Sequence, residues 1–368
     1  MATLTIVVGY RNREISRARR FLESLRRQTC DDFSLILVDY GSDPGKASAM
    51  KSLVDGYSFA SYIYSETRGW PWNRAHALNT GIRLADSRYV MTSDIDLIYS
   101  NNLIEVILDR ASESKALHSL CYYLPRRFDK YDEIDKHISS YRVGGKDALG
   151  LLQVLPKEIY VELRGFDEYY RFWGAEDRDL HYRLLQYGVN FEWLDLKSCP
   201  IYHQWHPVFN NKTPNFMPVG FWEDVQFYVQ KNIDILKRNN ENWGKIVKIS
   251  ERPALNLLNQ NEGELRTIFL QGPFDICIQR LVKEFKALKT REGVRIQFND
   301  SNTKDVILRI IWLFNKVLSK INLKYYIAPH PPTERNSIIY VIEKMKSEIA
   351  DYYLELKGQN SFCIVVKL

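Results

Sequence analysis

The sequence predicts an α/β fold: a mostly parallel sheet covered by helices on both faces, followed by a second and smaller α/β domain. Three observations carry that expectation. Short apolar runs alternate with amphipathic stretches through the first half of the chain. The apolar runs are nearly continuous, as strands buried on both faces require. A polar interruption around residues 240–262 ("KRNNENWGK", then "LNQNEGE") precedes a fresh alternation.

Taken in order, "LTIVVGY" reads as a buried strand, "SRARRFLESLRRQ" as an amphipathic helix and "FSLILVDYGS" as a second strand. "KASAMKSLVDGY" is then a helix, "FASYIYSE" a third strand, "WNRAHALNTGIRLAD" a helix and "RYVMTSD" a fourth strand. Residues 140–205 are less periodic and rich in Gly, aromatic and acidic residues, the composition of loops that carry function. We expect a first domain over 1–250, a linker over 251–262 and a small α/β domain over 263–368. In the last, strands "RTIFLQG", "VRIQFND", "KYYIAPH" and "SFCIVVKL" are separated by helices near 273–289, 303–320 and 334–356. The wide apolar face of "DVILRIIWLFNKVLSKI" suits a helix packed on a sheet better than one lying on a membrane.

Composition narrows the function classes. With 45% hydrophobic and 26% charged residues, the 368-residue chain reads as a soluble, two-domain protein. Its net charge of +6 suits anionic ligands but is spread without the dense basic stripe that nucleic acid would need. Five scattered cysteines, with no C-x-x-C pair, point away from a disulfide framework and toward a reducing compartment. "MATLTIVVGYRNR" does not read as a signal peptide, and no stretch approaches the roughly 20 apolar residues of a membrane span. The expectation is a cytoplasmic chain without a transmembrane segment, with peripheral contact at the inner face of the membrane left open.

Four clusters carry chemistry. "GYRNR" (9–13) follows the first strand, where two arginines and an aromatic ring can hold a base and a diphosphate, although a solvated basic turn has the same composition. "VDYGSD" (38–43) puts Asp39 at the end of the second, where its carboxylate can accept from a base imide or a ribose hydroxyl or simply build a turn. In "SRYVMTSDIDLIYSNN" (87–102), Asp94 and Asp96 share one side if the chain stays extended through Ile95. Two convergent carboxylates hold a hard divalent cation; the alternative is a helix-capping turn. "GFDEYYRFWGAEDRDLHYRLLQYG" (165–188) leads through Glu176, Asp177 and Asp179 into a helix ended by Gly188, and "CPIYHQWHP" (199–207) brings His203 and His206. Acidic residues in a first helical turn complement the dipole, and lone histidines are commonly structural, but the glycine-aromatic loop ahead of the helix is left unexplained by that account.

Read together, "YRNR", "WNRAHALNTGI", "SDIDLI" and "GFDEYYRFWGAEDRD" match in order the pattern of the animal β-1,4-galactosyltransferases. The last block also resembles polypeptide N-acetylgalactosaminyltransferases and bacterial chondroitin-type polymerases. Over roughly residues 3–210 the chain is thus similar to inverting, family 2-like glycosyltransferases of the GT-A fold. That resemblance implies a Rossmann-like catalytic domain, a UDP-sugar donor and Mn²⁺ or Mg²⁺. It places Tyr10, Arg11, Arg13 and Arg74 around the uridine diphosphate, with Asp39 on the base or ribose and Asp94 on the ribose or metal shell. Asp96 would ligate the metal with one or both of His203 and His206, and the family spacing makes His206 the counterpart of its histidine. Trp173 and Gly174 would lie on a loop closing over the donor, Asp177 would be the general base, and Glu176 would orient hydroxyls. The expected product is a β-linkage on a glycan, lipid-linked or peptide acceptor.

We expect the chain to depart from the animal enzymes in having neither their membrane anchor nor their disulfides, and it differs in Arg178 within the acidic run and in Ala175 where glycine is usual. Ala148 and Leu149 stand where the galactosyltransferases carry a bulky aromatic, so the sugar itself is open. Rival readings are a nucleotidyltransferase, disfavoured by the lack of a Gly-rich phosphate loop with its lysine, and an inactive nucleotide-sugar or carbohydrate-binding scaffold. The complete set Asp94, Asp96, Asp177, His203 and His206 counts against the scaffold.

Overall fold

The structure, a computed structural model, describes residues 2–145, 149–172, 174–206, 221–258, 266–270, 283, 293–299, 351–356 and 361–367. The chain divides into two compact units, Met1–Pro207 with Asn232–Val247, and Val208–Lys231 with Lys248–Leu368. The first runs β1 (Leu4–Tyr10), α1 (Ile15–Arg26), β2 (Phe33–Tyr40), α2 (Pro44–Val54), β3 (Ala60–Ser65), α3 (Arg74–Leu84), β4 (Tyr89–Ser93), β5 (Leu97–Tyr99) and α4 (Leu103–Arg110). It continues with β6 (Lys115–His118), β7 (Tyr122–Tyr123), a 3₁₀ segment (Tyr131–Ser140), β8 (Arg142–Val143), β9 (Leu152–Pro156), α5 (Lys157–Leu163), α6 (Glu176–Tyr187), β10 (Asn190–Trp193) and β11 (Ile201–His203). The second holds α7 (Phe221–Lys231), α8 (Pro253–Leu258), β12 (Arg266–Leu270), β13 (Gly293–Asn299), β14 (Asp351–Leu356) and β15 (Ser361–Lys367).

Seven strands form the main sheet in the order β10-β6-β9-β4-β1-β2-β3. β4, β1, β2 and β3 are mutually parallel, β10 is parallel to β6, and β9 runs antiparallel between β4 and β6. The four expected strands of the first half fall on β1–β4: β1, β2 and β4 are largely buried apolar runs, whereas β3 is the half-exposed edge strand. Alternation along β1 divides the core. Leu4, Ile6, Val8 and Tyr10 face the α1 side with Phe21, Leu22 and Leu25, whereas Val7 faces the α3 side with Leu78 and Ile82. α3 lies so close to β1 that a Cβ on Gly81 would sit 2.3 Å from Val7 Cγ1.

The chain winds outward from β1 to β3, then returns to place β4 on the other side of β1. That reversal opens a crevice beyond the carboxyl ends of β1 and β4, where ligands of open α/β sheets bind. A second sheet, β5-β11-β7-β8, lies in the same unit. Its antiparallel β5–β11 pair, with Leu97 opposite His203, brings together segments about a hundred residues apart. This fold is the GT-A arrangement that the resemblance implied, with a smaller α/β unit besides.

In the second unit, β12-β13-β15-β14 form a sheet, with β12, β13 and β15 on three of the expected strands. Within the expected linker, residues 253–258 form α8. Arg252 is fully buried, and its Nε donates to Asp351 at 3.0 and 3.1 Å while its Nη2 donates to the Tyr352 carbonyl at 2.9 Å. The expected helix near 334–356 is corrected over 351–356. "DYYLEL" is β14, paired antiparallel with β15, a partner that local charge pattern does not reveal. The expected helices near 273–289 (Lys283 apart) and 303–320, and the strand "KYYIAPH", lie outside the described residues. Among the described residues no helix is long and apolar enough to cross a membrane, and Cys30, Cys121, Cys199 and Cys363 are free thiols.

Candidate active site

The two aspartates of "SDID" do not share one extended strand. β4 stops at Ser93 and a turn through Ile95 and Asp96 leads into β5, so each carboxylate meets a different set of partners. Asp96 is pinned by the β5–β11 ladder, where Gln204 N–H donates to the Asp96 carbonyl at 2.9 Å. That register sets its carboxylate against two imidazoles: His203 Nε2 is 3.6 Å from Oδ1 and His206 Nε2 is 3.1 Å from Oδ2. One ligand atom from each of the three residues lies within 4.8 Å of the others.

Burial alone would raise the Asp96 pKa. The hydrogen bond from His206 and the positive charges of His203, His206 and Arg13 outweigh it and hold the carboxyl below its ordinary value. Asp96 Oδ1 is nevertheless buried without a hydrogen-bond partner. An orphaned carboxylate oxygen beside two imidazole nitrogens is a donor set that a divalent first-row cation fits.

Asp94 turns instead to Arg74, the first residue of α3. Its helix is capped by Asn73, whose Oδ1 accepts from His76 N–H at 2.9 Å. Arg74 donates from Nε to Asp94 Oδ1 at 3.1 Å and from Nη2 to the Gly150 carbonyl at 2.6 Å, and its Nη1 lies 3.6 Å from Glu176 Oε1. Burial disfavours its charge, but Asp94, Glu176 and Asp177 outweigh that and raise its pKa. Arg74 thus ties the aspartate turn, the Gly150 loop and the start of α6 together, with Nη1 left without a hydrogen bond.

On the side of β1 and β2 the structure separates the expected residues by depth. Tyr10 is wholly buried in the core, its hydroxyl donating to the Arg13 carbonyl at 2.9 Å and its phenol pushed up to about 12 by burial and by Asp39. It supports the loop from beneath and does not line its surface. Asp39 is also fully buried, accepting from Ser42 N–H at 2.8 Å and from the Tyr62 hydroxyl at 2.7 Å. Burial raises its pKa against those bonds and the Arg11 charge. Arg11 donates to the Trp70 and Thr67 carbonyls at 2.8 and 3.1 Å, whereas Arg13 is exposed.

α6 begins at Glu176 after a strained turn. Phe172, Gly174 and Ala175 have φ of 70°, 88° and 78°, and only glycine takes that region freely. Phe172 N–H donates to the Trp72 carbonyl at 2.9 Å, which anchors the turn. Trp173 lies outside the described residues, as do Lys146, Asp147 and Ala148. Glu176 is buried, and burial with the charges of Asp177 and Asp94 raises its pKa to about 7 against the pull of Arg74. Asp177 is half-buried beside Gly150, and its Oδ1 accepts from Arg178 N–H at 2.7 Å. Asp179 instead turns inward, to Arg183 Nε at 2.7 Å.

Sequence reasoning missed Gln204, Trp72 and Gly150. Gln204 is buried between the two histidines, accepting from Arg20 Nε at 2.6 Å and donating to the Arg17 carbonyl at 3.2 Å, which fixes the segment to α1. Its position between two candidate ligands was the available signal. Trp72 packs on Gly9, where a Cβ would meet its ring at 3.2 Å, and no local pattern marks that contact.

Residues 5–158 match Glycosyl transferase family 2, and residues 135–207 match the N-terminal domain of galactosyltransferase. Validoxylamine A glucosyltransferase of Streptomyces hygroscopicus subsp. limoneus is 24% identical over 223 residues, covering 50% of this chain and 48% of its own. Its counterpart in S. hygroscopicus subsp. jinggangensis (strain 5008) is 24% identical over 223 residues, with 50% and 52% covered. The chain therefore spans about half the length of the curated relatives it matches. The crystal structure of S. aureus TarS 1–349 in complex with UDP superposes with a TM-score of 0.43 at 16% identity, over 56% of this chain and 61% of that one.

Proposed function

We propose, for a chain whose first unit is a glycosyltransferase domain of the GT-A fold, a metal-dependent inverting transfer of a hexose or N-acetylhexosamine from a UDP-sugar to an acceptor hydroxyl. The observation that carries this reading is Asp96, with its orphaned oxygen, between His203 and His206 at the crevice of the sheet. Mn²⁺ or Mg²⁺ held by these three residues would serve as a Lewis acid toward the leaving diphosphate.

The protein's own groups supply the rest. Arg13, exposed and close enough to lower the Asp96 pKa, is a cation available to the diphosphate. Arg11 and Asp39 hold the β1 and β2 loops in shape beneath it. Asp177 is the open carboxylate at the head of α6 and takes the acceptor hydroxyl proton as that oxygen attacks C1 and the C1–O bond to the diphosphate breaks. Glu176, buried against Arg74, keeps α6 aligned with the aspartate turn. Attack opposite the leaving group inverts an α-linked donor to a β-linked product. The turn that carries Phe172, Gly174 and Ala175 at positive φ is suited to close over the donor and exclude water.

The relatives' name, a glucosyltransferase, favours a hexosyl group. Residues 1–250 would carry this chemistry, leaving 263–368 for acceptor recognition, a partner or self-association. The acceptor is a glycan, a lipid-linked sugar or a peptide.

The test is UDP release from a panel of UDP-sugars with Mn²⁺ or with EDTA, in wild type and Asp96→Ala. Metal-dependent turnover of one sugar, abolished by the substitution, is the expected result. Metal-dependent UDP binding without turnover, even hydrolytic and with acceptors supplied, would favour an inactive nucleotide-sugar-binding scaffold. Absence of UDP-sugar binding with any metal would refute both.

A further inference from the structure

The second sheet sets a row of side chains on one face. His203 on β11 is in register with Tyr123 on β7, and Tyr123 with Arg142 on β8. They stand in file. The His206 and His203 ring centroids are 5.1 Å apart, those of His203 and Tyr123 are 5.2 Å apart, and the Arg142 guanidinium lies 4.7 Å from the Tyr123 centroid. The file leads from two candidate metal ligands to an exposed cation.

A second cation sits beside it. Trp205, two residues past His203, is 40% exposed, and Leu124 N–H donates to the His203 carbonyl at 3.0 Å, which brings the segment after β7 alongside. Arg126 lies 5.1 Å from the Trp205 ring centroid. Arg126 and Arg142 are both exposed, and neither enters an ion pair among the described residues.

Exposed arginines ordinarily sweep through solvent. Here each guanidinium carbon lies over an aromatic ring, of the metal-binding segment for Arg126 and of the strand paired with it for Arg142. Stacking occupies the face of the guanidinium and leaves its N–H edge, the fork that receives a carboxylate or phosphate. The donor diphosphate is already answered, on the function proposed above, by the Asp96 cluster and Arg13. Two further cations on the β7–β8 side therefore address a different negative charge. We infer that Arg126 and Arg142 form an acceptor subsite for a sugar bearing a carboxylate or a phosphate, an inference that rests on the transferase reading of the Asp96 site. The subsite selects acceptors by charge, with Tyr123 and Trp205 setting the orientation of the two forks.

The test is calorimetric binding to the full chain with Mn²⁺ and UDP at low salt. The probes are a galacturonate tetramer, the same tetramer fully methyl-esterified, and glucose 6-phosphate. The tetramer or the phosphate should bind at least about tenfold more tightly than the neutral ester, and binding should weaken steeply with added salt. Which charged probe binds identifies the group. The Arg126→Gln/Arg142→Gln double variant should lose about tenfold or more of that affinity, and Arg142→Lys, which keeps the charge but not the fork, should lose less.

Equal affinity for charged and neutral tetramers would overturn the inference. So would an unchanged affinity in a double variant that melts like wild type, or no charged-probe binding while Mn²⁺-dependent UDP binding is intact. Should the double variant melt early, Arg142→Lys decides: full wild-type affinity there removes the fork from the account. Wild type that binds no UDP with Mn²⁺ refutes the transferase reading itself, and the subsite falls with it.

Discussion

Asp39 and Asp96 both lie near the carboxyl ends of parallel strands of one sheet, Asp39 as the penultimate residue of β2 and Asp96 three residues beyond β4, yet the fold treats them oppositely. Asp39 is closed: both oxygens are engaged, by Ser42 three residues on and by Tyr62 on the neighbouring strand. Asp96 is open: it faces two histidines from β11 and its tail, and one buried oxygen has no hydrogen-bond partner. A carboxylate whose hydrogen bonds are complete holds a loop in shape. One left incomplete beside other ligands is prepared for something the chain does not itself supply. Strand-end position is shared; satisfaction of the carboxylate separates scaffold from site.

The largest effect is expected at the open side, where Asp177→Asn should lower kcat for transfer by about 10²–10⁴-fold while the donor KM moves little, as steady-state kinetics would show. At the closed side, Asp39→Ala should act on the fold. It leaves the Ser42 N–H and Tyr62 hydroxyl without their acceptor and should cost about 2–4 kcal/mol in urea unfolding. If Asp39→Ala folds with wild-type stability, the division between the two aspartates is wrong.

Glu176 makes stability depend on pH. Its pKa is raised from 4.5 to about 7, so the folded protein retains a proton that the unfolded chain releases. That contribution is fully present below about pH 4.5 and is lost as pH rises through 7. Glu176→Gln cannot ionise. Its stability relative to wild type should therefore improve by on the order of 2–3 kcal/mol from pH 4.5 to pH 8 in the metal-free protein. A relative stability independent of pH would show that the buried carboxyl is not perturbed.

The smallest effect concerns the frame both aspartates share. Gly81→Ala drives a Cβ into Val7 and should cost about 1–3 kcal/mol of stability without changing metal affinity, as paired melting and metal titrations would report.

Much of this frame was legible in the sequence. β1, β2 and β4 are apolar runs whose burial dictates their conformation, and α6 ends at Gly188, which takes φ of 89° as a left-handed cap. Alternation in "LTIVVGY" also carried the depth of Tyr10, since it shares parity with Leu4, Ile6 and Val8 and so belongs to the core. What the sequence did not reveal are pairings across long stretches of chain. The residues of the metal cluster were identifiable by type, but their convergence depends on the Leu97–His203 register, and the turn at Ile95 replaces the extended path expected there. β14 failed for the same reason: "DYYLEL" follows a helix-like charge pattern, and only its partner β15 makes it a strand.

In this reading Asp96, His203 and His206 bind a divalent cation that in turn recruits a nucleotide diphosphate. Titration of Mn²⁺ followed by electron paramagnetic resonance, with and without UDP, in wild type, Asp96→Ala and His206→Ala tests it most directly. The account predicts one Mn²⁺ per wild-type chain, tightened by UDP and lost or weakened at least about tenfold in both variants. Equal Mn²⁺ binding in Asp96→Ala, or none in wild type even with UDP, would contradict it.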